Sequence, residues 1–222
     1  MKLIAHRGGR GFGTDNTLEA MEKAASSGVR MIETDIRASA DGRLVICHDA
    51  TIWGRIVSKT TYDELKKHAP ERPLLLDVLE SLAGWVAFNL EIKDAPVRAV
   101  GEIIEMYRIE SETLVTSFNT SYLGEFKKEF PAVRTGFLYR MPYNRDKKLE
   151  KASAIGAEVV LPFFHSVNPE LVYLAHRKGL DVYAWTVDSE EDLDKLYEWG
   201  VDAVITDRFL ELKVALGKNY TT

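Results

Sequence analysis

Short apolar runs and stretches of helical period alternate along this 222-residue chain almost from end to end. Leu3 to His6 has the length of a strand. Leu18 to Ser26 follows with apolar positions at Leu18, Met21, Ala24 and Ala25, the three-and-four spacing of one helix face. Met31 to Ile36 alternates, so Glu33 and Asp35, two apart, leave the same face of a strand. Asp41-Gly42 then signals a tight turn before the apolar run Leu44 to Cys47. No crossover helix fits between these two runs, so they pair antiparallel. A two-residue turn sets His48 directly opposite Asp35, an arrangement that a slip of one residue would undo. Thr60 to Lys67 opens like a capped helix, and Leu76 to Leu82 continues the helical pattern. Strand-like runs recur at Val86–Ile92, Leu114–Phe118, Thr135–Tyr139, Val159–Pro162, Asp181–Thr186 and Ala203–Thr206. Helical stretches separate them at Val97–Tyr107, Ser121–Phe130, Asp146–Ala154, Pro169–Lys178 and Glu190–Trp199, and Phe209–Leu216 closes the chain.

Leaving out the return strand of the hairpin, eight strands remain, each but the last followed by a helical segment before the next. That count in one chain of this length predicts an α/β fold, a (β/α)8 TIM barrel with a β-hairpin excursion after the second strand. Residues 1–222 read as one domain; a doubly wound open sheet is the structural rival. The barrel makes the sharper forecast, because its active sites lie at the carboxyl ends of the strands. The polar residues fall there: His6 and Arg7, Glu33 and Asp35, Glu91 and Lys93, Ser117 and Asn119, Trp185 and Thr186, Thr206 and Asp207.

Composition changes this picture little. Apolar residues make up 45% of the chain and charged ones 28%, ordinary globular values. The net charge of -5 gives no reason to expect nucleic acid or an anionic membrane as partner. A single cysteine, Cys47, excludes an internal disulfide and, mid-strand, reads as a buried structural thiol in a reducing compartment. The amino end is too short in apolar length for a signal peptide, and no apolar run approaches a membrane span, so the expectation is a soluble, cytoplasmic protein. The chain has no glutamine and is rich in Glu, Lys and Arg, which points to a thermophilic source.

The candidate chemistry sits at the strand ends. Glu33, Asp35 and Glu91 bring three carboxylates to one mouth, where like charges are costly without a cation. Either a hard divalent ion with oxygen ligands or ion pairs with Arg7, Arg37 or Lys93 would answer that cost. His6 and His48 end strands beside the acids, and imidazole suits proton transfer near neutrality. His68, His165 and His176 lack such company and read as structural. Arg7 and Lys93 supply an anion site. Arg7 opens the glycine-rich RGGRGFG, which lacks the lysine and spacing of a P-loop. Asp15-Asn16-Thr17 read as helix-capping residues. Phe118 and Trp185 read as pocket walls or as core.

Taken together these residues resemble the glycerophosphodiester phosphodiesterase family. The match rests on HRG (His6–Gly8), DNT (Asp15–Thr17), ETD (Glu33–Asp35), HD (His48–Asp49), LEIK (Leu90–Lys93), SF (Ser117–Phe118), WTV (Trp185–Val187) and TD (Thr206–Asp207), in family order over nearly the whole chain. The resemblance implies a metal-dependent hydrolase with His6 and His48 catalytic and Glu33, Asp35 and Glu91 holding one divalent cation. That ion would be Mg2+ or Ca2+, with Mn2+ as an alternative. Arg7, Lys93, Phe118 and Trp185 correspond to substrate contacts. The implied partner is a small glycerophosphodiester, cleaved to glycerol 3-phosphate and an alcohol. Three positions depart from the family pattern: Thr14-Asp15 stands for Pro-Glu, Asp188 for Asn, and the segment after His48-Asp49 is short, leaving little material to enclose an alcohol. The alternatives are a phospholipid-type phosphodiesterase on the same fold, a non-catalytic metal- or phosphate-binding barrel, and a sugar-phosphate isomerase or aldolase.

Overall fold

The computed structural model describes residues 1–140 and 144–219. In chain order the elements are β1 (Lys2–Ala5), α1 (Leu18–Ser26), β2 (Met31–Ala38), β3 (Leu44–Ile46), β4 (Thr51–Ile52), β5 (Arg55–Ile56), α2 (Tyr62–His68), α3 (Leu75–Leu82) and β6 (Ala87–Ile92). They continue as α4 (Val97–Tyr107), β7 (Thr113–Ser117), α5 (Thr120–Glu129), β8 (Arg134–Tyr139), α6 (Arg145–Ala154), β9 (Val159–Pro162), α7 (Pro169–Arg177), β10 (Asp181–Ala184), α8 (Glu190–Glu198), β11 (Ala203–Thr206) and α9 (Phe209–Asn219). Eight strands lie parallel in the order β1-β11-β10-β9-β8-β7-β6-β2, and Ala5 paired with Ile32 shuts the ring. The fold is the expected TIM barrel.

Strand alternation divides the side chains into two sets. Ile4, Leu114, Leu138, Val159, Leu161, Tyr183, Ala203 and Ile205 meet inside and floor the barrel. The alternate strand positions, such as Phe88, Leu90, Val115 and Val160, join the outer core with Val100, Ile104, Leu123 and Phe126 of the helices. Gly136 of β8 is required by this crowding: a Cβ there would lie 2.5 Å from Leu161 Cδ1 and 3.1 Å from Thr116 Cγ2. Above the apolar floor the inward positions turn polar, with Glu33 level with Asn89 and Asp35 level with Glu91 across the β2–β6 ladder.

β1 stops at Ala5, so the upper half of β2 is free to pair with β3. The hairpin turn is longer by one residue than the two-residue turn expected. Gly42 N–H donates to Ser39 O and Ser39 N–H to Arg43 O, both at 2.9 Å, with Gly42 in the left-handed region at φ 78°. Three loop residues of this kind shift the register to Ile36↔Ile46, Arg37↔Val45 and Ala38↔Leu44. Asp35 therefore faces Cys47, whose N–H donates to its carbonyl at 2.9 Å, and not His48. His48 still reaches the mouth because the ladder ends at Ile46 and side-chain direction is no longer set by the pleat.

Beyond it, β4 and β5 form a second small ribbon over a satellite core of Val45, Cys47, Ile52, Val57, Tyr62 and Leu65. Its turn, Trp53-Gly54, has φ 48° and 74°. The helical segments expected at Thr60–Lys67 and Leu76–Leu82 are α2 and α3, split by a loop that carries Pro70 and Pro73.

Candidate active site

The acids occupy the centre of the mouth. Asp35 is 1% and Glu33 4% exposed, the Glu91 side chain 12%, and one oxygen from each lies within 4.8 Å of the others. Lys93 Nζ is 3.0 Å from Asp35 Oδ1 and also bonds Glu91 Oε1. Burial raises the Asp35 carboxyl, but Lys93 and a hydrogen bond from Asn16 outweigh it and hold the group below the usual range. Glu91 stays raised, since burial and Asp35 overcome Lys93. Glu33 has no lysine or arginine side chain paired with it among the described residues; burial, then Asp35, push it up to about 8.

Both histidines are held in the same way. His6 sits in a tight turn after β1, where Arg7 takes φ 48°, and its Nδ1 lies 2.6 Å from Asp207 Oδ1. Its Nε2 is 3.8 Å from Glu33 Oε2. Burial lowers the His6 pKa, yet Asp207 and Glu33 more than reverse this, leaving it raised. His48 places Nδ1 2.8 Å from Asp49 Oδ1. Its backbone carbonyl accepts from Arg37 Nε and Nη2 at 3.1 and 3.0 Å, and Arg37 is itself paired with Asp94 at 2.5 Å. A carboxylate on Nδ1 fixes the tautomer and leaves Nε2 free to exchange a proton.

Arg7 donates its backbone N–H to Glu33 Oε2 at 2.8 Å, and its Nη1 lies 3.3 Å from Asp15 Oδ2. Trp185 donates Nε1–H to Leu161 O at 2.8 Å, and Phe118 meets it edge-on at 5.7 Å. These aromatics wall one side of the mouth. A hollow of about 20 Å³ lies below, between His6, Glu33, Asn89, Glu91 and Trp185. On the His48 side a larger cavity of about 320 Å³ opens, bounded by Arg7, Asp15, Asp49, Trp53, Glu71 and Arg72. The short segment after Asp49 thus still builds a wall. The other histidines described make surface contacts: His68 pairs with Glu64 and His176 with Asp202, while His165 stacks on Phe164.

A profile of the glycerophosphoryl diester phosphodiesterase family matches residues 6–211. The chain is 33% identical to a glycerophosphodiester phosphodiesterase of Caldanaerobacter subterraneus subsp. tengcongensis, covering 92% of this chain and 93% of that one. The chain belongs to this family. Among solved structures it resembles the glycerophosphodiester phosphodiesterase of Thermotoga maritima, with a TM-score of 0.80 at 25% identity over 96% and 97% of the two chains. An Oleispira antarctica phosphodiesterase solved with sn-glycerol-3-phosphate has the same fold, with a TM-score of 0.88 at 24% identity over 97% and 96%.

Several residues around this mouth are missed or underread from sequence. Asn16 is not a helix cap: Thr17 caps α1, and Asn16 is fully buried at φ 55° with Nδ2 2.9 Å from Asp35 Oδ2. The signal was its residue type, since Asn tolerates the left-handed region better than most. Asp207 reads from sequence as a strand-end acid and part of the TD motif but without its tie to His6, and Arg37 only as a possible partner of the acids. Arg72 belongs to no motif; its Nη1 donates to Asp15 O at 2.6 Å.

Proposed function

We propose that this site hydrolyses glycerophosphodiesters to glycerol 3-phosphate and an alcohol. The observation that carries the reading is the pair of histidines, each with Nδ1 on a carboxylate, flanking three buried acids beside Arg7. A mere binding barrel has no use for two free imidazole nitrogens around one anion site.

One divalent cation, Mg2+ or Ca2+ with Mn2+ as an alternative, fits the residues present. Lys93 compensates Asp35 and Glu91, whereas Glu33, pushed up to about 8, meets no lysine or arginine side chain among the described residues and only the His6 imidazole at 3.8 Å. Buried like charges of this kind call for either a proton or a metal. Asn89 Nδ2 is buried without a partner and lines the hollow of about 20 Å³ beside Glu33 and Glu91, room for one water of a hydrated hard ion. Glu33, Asp35 and Glu91 would hold the ion. When bound, it would offset charge developing on the phosphoryl oxygens.

The protein's own groups do the rest. Arg7 and Lys93 bind the phosphate, Arg7 through a planar fork and Lys93 as a point charge. Phe118 and Trp185 wall the glycerol side. The large cavity opens beside His48, so His48 protonates the departing alcohol oxygen there. His6 takes the proton of the nucleophile, either water or the neighbouring glycerol hydroxyl, and Asp207 stabilises the imidazolium that results. The lone buried Cys47 fits a reducing compartment, and no described helix is long and apolar enough to cross a membrane. We read the whole chain as one catalytic domain.

A panel of diesters tests this. Glycerophosphocholine, glycerophosphoethanolamine and glycerophosphoglycerol should release glycerol 3-phosphate with kcat/KM values within about tenfold, or roughly 1.4 kcal/mol in the barrier. Bis(p-nitrophenyl) phosphate, which lacks glycerol, should be cleaved far less well for its leaving-group reactivity. Equal handling of the glycerol-free diester would place recognition on the wrong side of the phosphorus.

A further inference from the structure

We propose that Arg72 is a positioning residue for the cation site, because its guanidinium pins the bend at Asp15-Asn16 that aims two of the three acids. The proposal rests on the reading that Glu33, Asp35 and Glu91 hold a divalent ion. Arg72 lies in the loop between α2 and α3, 57 residues from Asp15 along the chain, with its side chain 21% exposed. Its Nη1 donates to Asp15 O at 2.6 Å and to Asn16 O at 3.4 Å, and its Nη2 is 3.8 Å from Asp15 Oδ1. The bond to Asp15 O is the shortest the guanidinium makes, against 3.9 Å from Nε to the neighbouring Glu71.

The bend it grips governs both acids. Asn16 Nδ2 donates to Asp35 Oδ2 at 2.9 Å, while Asn16 Oδ1 accepts from Thr34 Oγ1 at 2.7 Å, so the amide cannot turn over without losing both bonds. Asn16 N–H donates to Arg7 O at 2.7 Å, and the Arg7 N–H in turn donates to Glu33 Oε2 at 2.8 Å. Asn16 and Arg7 both hold the left-handed conformation, at φ 55° and 48°, which Asn tolerates but Arg keeps at a cost that the surrounding contacts must offset. Asp15 sits between the Arg7 and Arg72 guanidiniums, so the same contact also steadies Arg7. Partners behind the ligands commonly set metal affinity by 10–100-fold.

The sign of the effect separates this role from simple electrostatics. Removing a positive charge near a cation site should tighten metal binding, whereas loss of the clamp should weaken it. Mn2+ alone is titrated into metal-stripped protein without substrate and followed by calorimetry or by the resonance of free Mn2+. Arg72→Met should raise the Mn2+ Kd by about tenfold or more. Arg72→Lys, which keeps one donor for Asp15 O, should recover part of the loss; Glu71→Gln should leave the Mn2+ Kd unchanged. An Arg72→Met protein that binds Mn2+ as tightly as wild type, or more tightly, overturns the proposal. Should that variant fail to fold, Arg72→Lys decides: a Kd raised at least threefold supports the clamp and an unchanged one refutes it. Wild-type Mn2+ binding unaffected by Glu33→Gln would instead overturn the metal reading itself, a result distinct from failure of the clamp.

Discussion

The two histidines have the same dress and unequal surroundings. His6 is largely buried against Asp207 and Glu33, and His48 stands half-exposed at the edge of the large cavity. Replacing either with alanine should lower kcat by roughly a hundredfold or more, the usual scale for losing a general acid or base. His68→Ala and His176→Ala remove only surface pairs with Glu64 and Asp202 and should leave kcat within about twofold, since such pairs contribute little. Steady-state kinetics on the four variants checks this, and equal losses in all four would refute the assignment. At this scale the sequence was readable wherever a residue type carries its own chemistry. Glu33 and Asp35 two apart on a strand, and a His beside acids, announce themselves. Asn16, Arg37 and Arg72 act by where the fold carries them: Arg72 reaches Asp15 across 57 residues, and nothing local in the sequence encodes that reach.

Among the elements, the excursion after β2 decides how the mouth is enclosed. Asp41 serves two of its parts at once: Oδ1 accepts from Ser39 Oγ at 2.7 Å within the turn and from Tyr62 N–H at 2.9 Å at the start of α2. These bonds hold its pKa below the ordinary aspartate value. A depressed carboxyl contributes stability above its unfolded pKa, and that contribution is lost as pH falls through the folded value. Asp41→Ala should therefore lower Tm by about 2–4 °C at pH 7, the effect of losing a cap of about 1 kcal/mol in a chain of this size, and by less below pH 3.8. Thermal unfolding at the two pH values checks the sign.

The ribbon β4–β5 carries Trp53, 76% exposed, on the wall of the His48-side cavity. An indole face there should favour a cationic alcohol by about 1 kcal/mol. Trp53→Ala should lower kcat/KM for glycerophosphocholine about fivefold and leave glycerophosphoglycerol unchanged; an equal fall in both would remove Trp53 from recognition. The ribbon was illegible in sequence because its turn has Trp where Asn or Asp usually marks φ above zero. The hairpin before it was legible in existence but not in register, since Asp41-Gly42 also suits a three-residue loop, and one residue more moves every pairing.

For the whole molecule, the eightfold alternation was plain because α1 and α4 carry helical spacing and β9 and β11 are short apolar runs, each over its full length. The barrel then gathers strand ends that are far apart in the chain into one mouth. On the proposed reading the three acids hold a divalent cation for glycerophosphodiester hydrolysis, with the Lys93 contact covering only two of them. The most direct test is release of glycerol 3-phosphate from glycerophosphocholine by protein stripped exhaustively with a chelator, then supplied separately with Mg2+, Ca2+ and Mn2+. Activity should vanish on stripping and return with at least one of these ions, but not in Glu33→Gln. Full activity in the stripped protein would contradict the account.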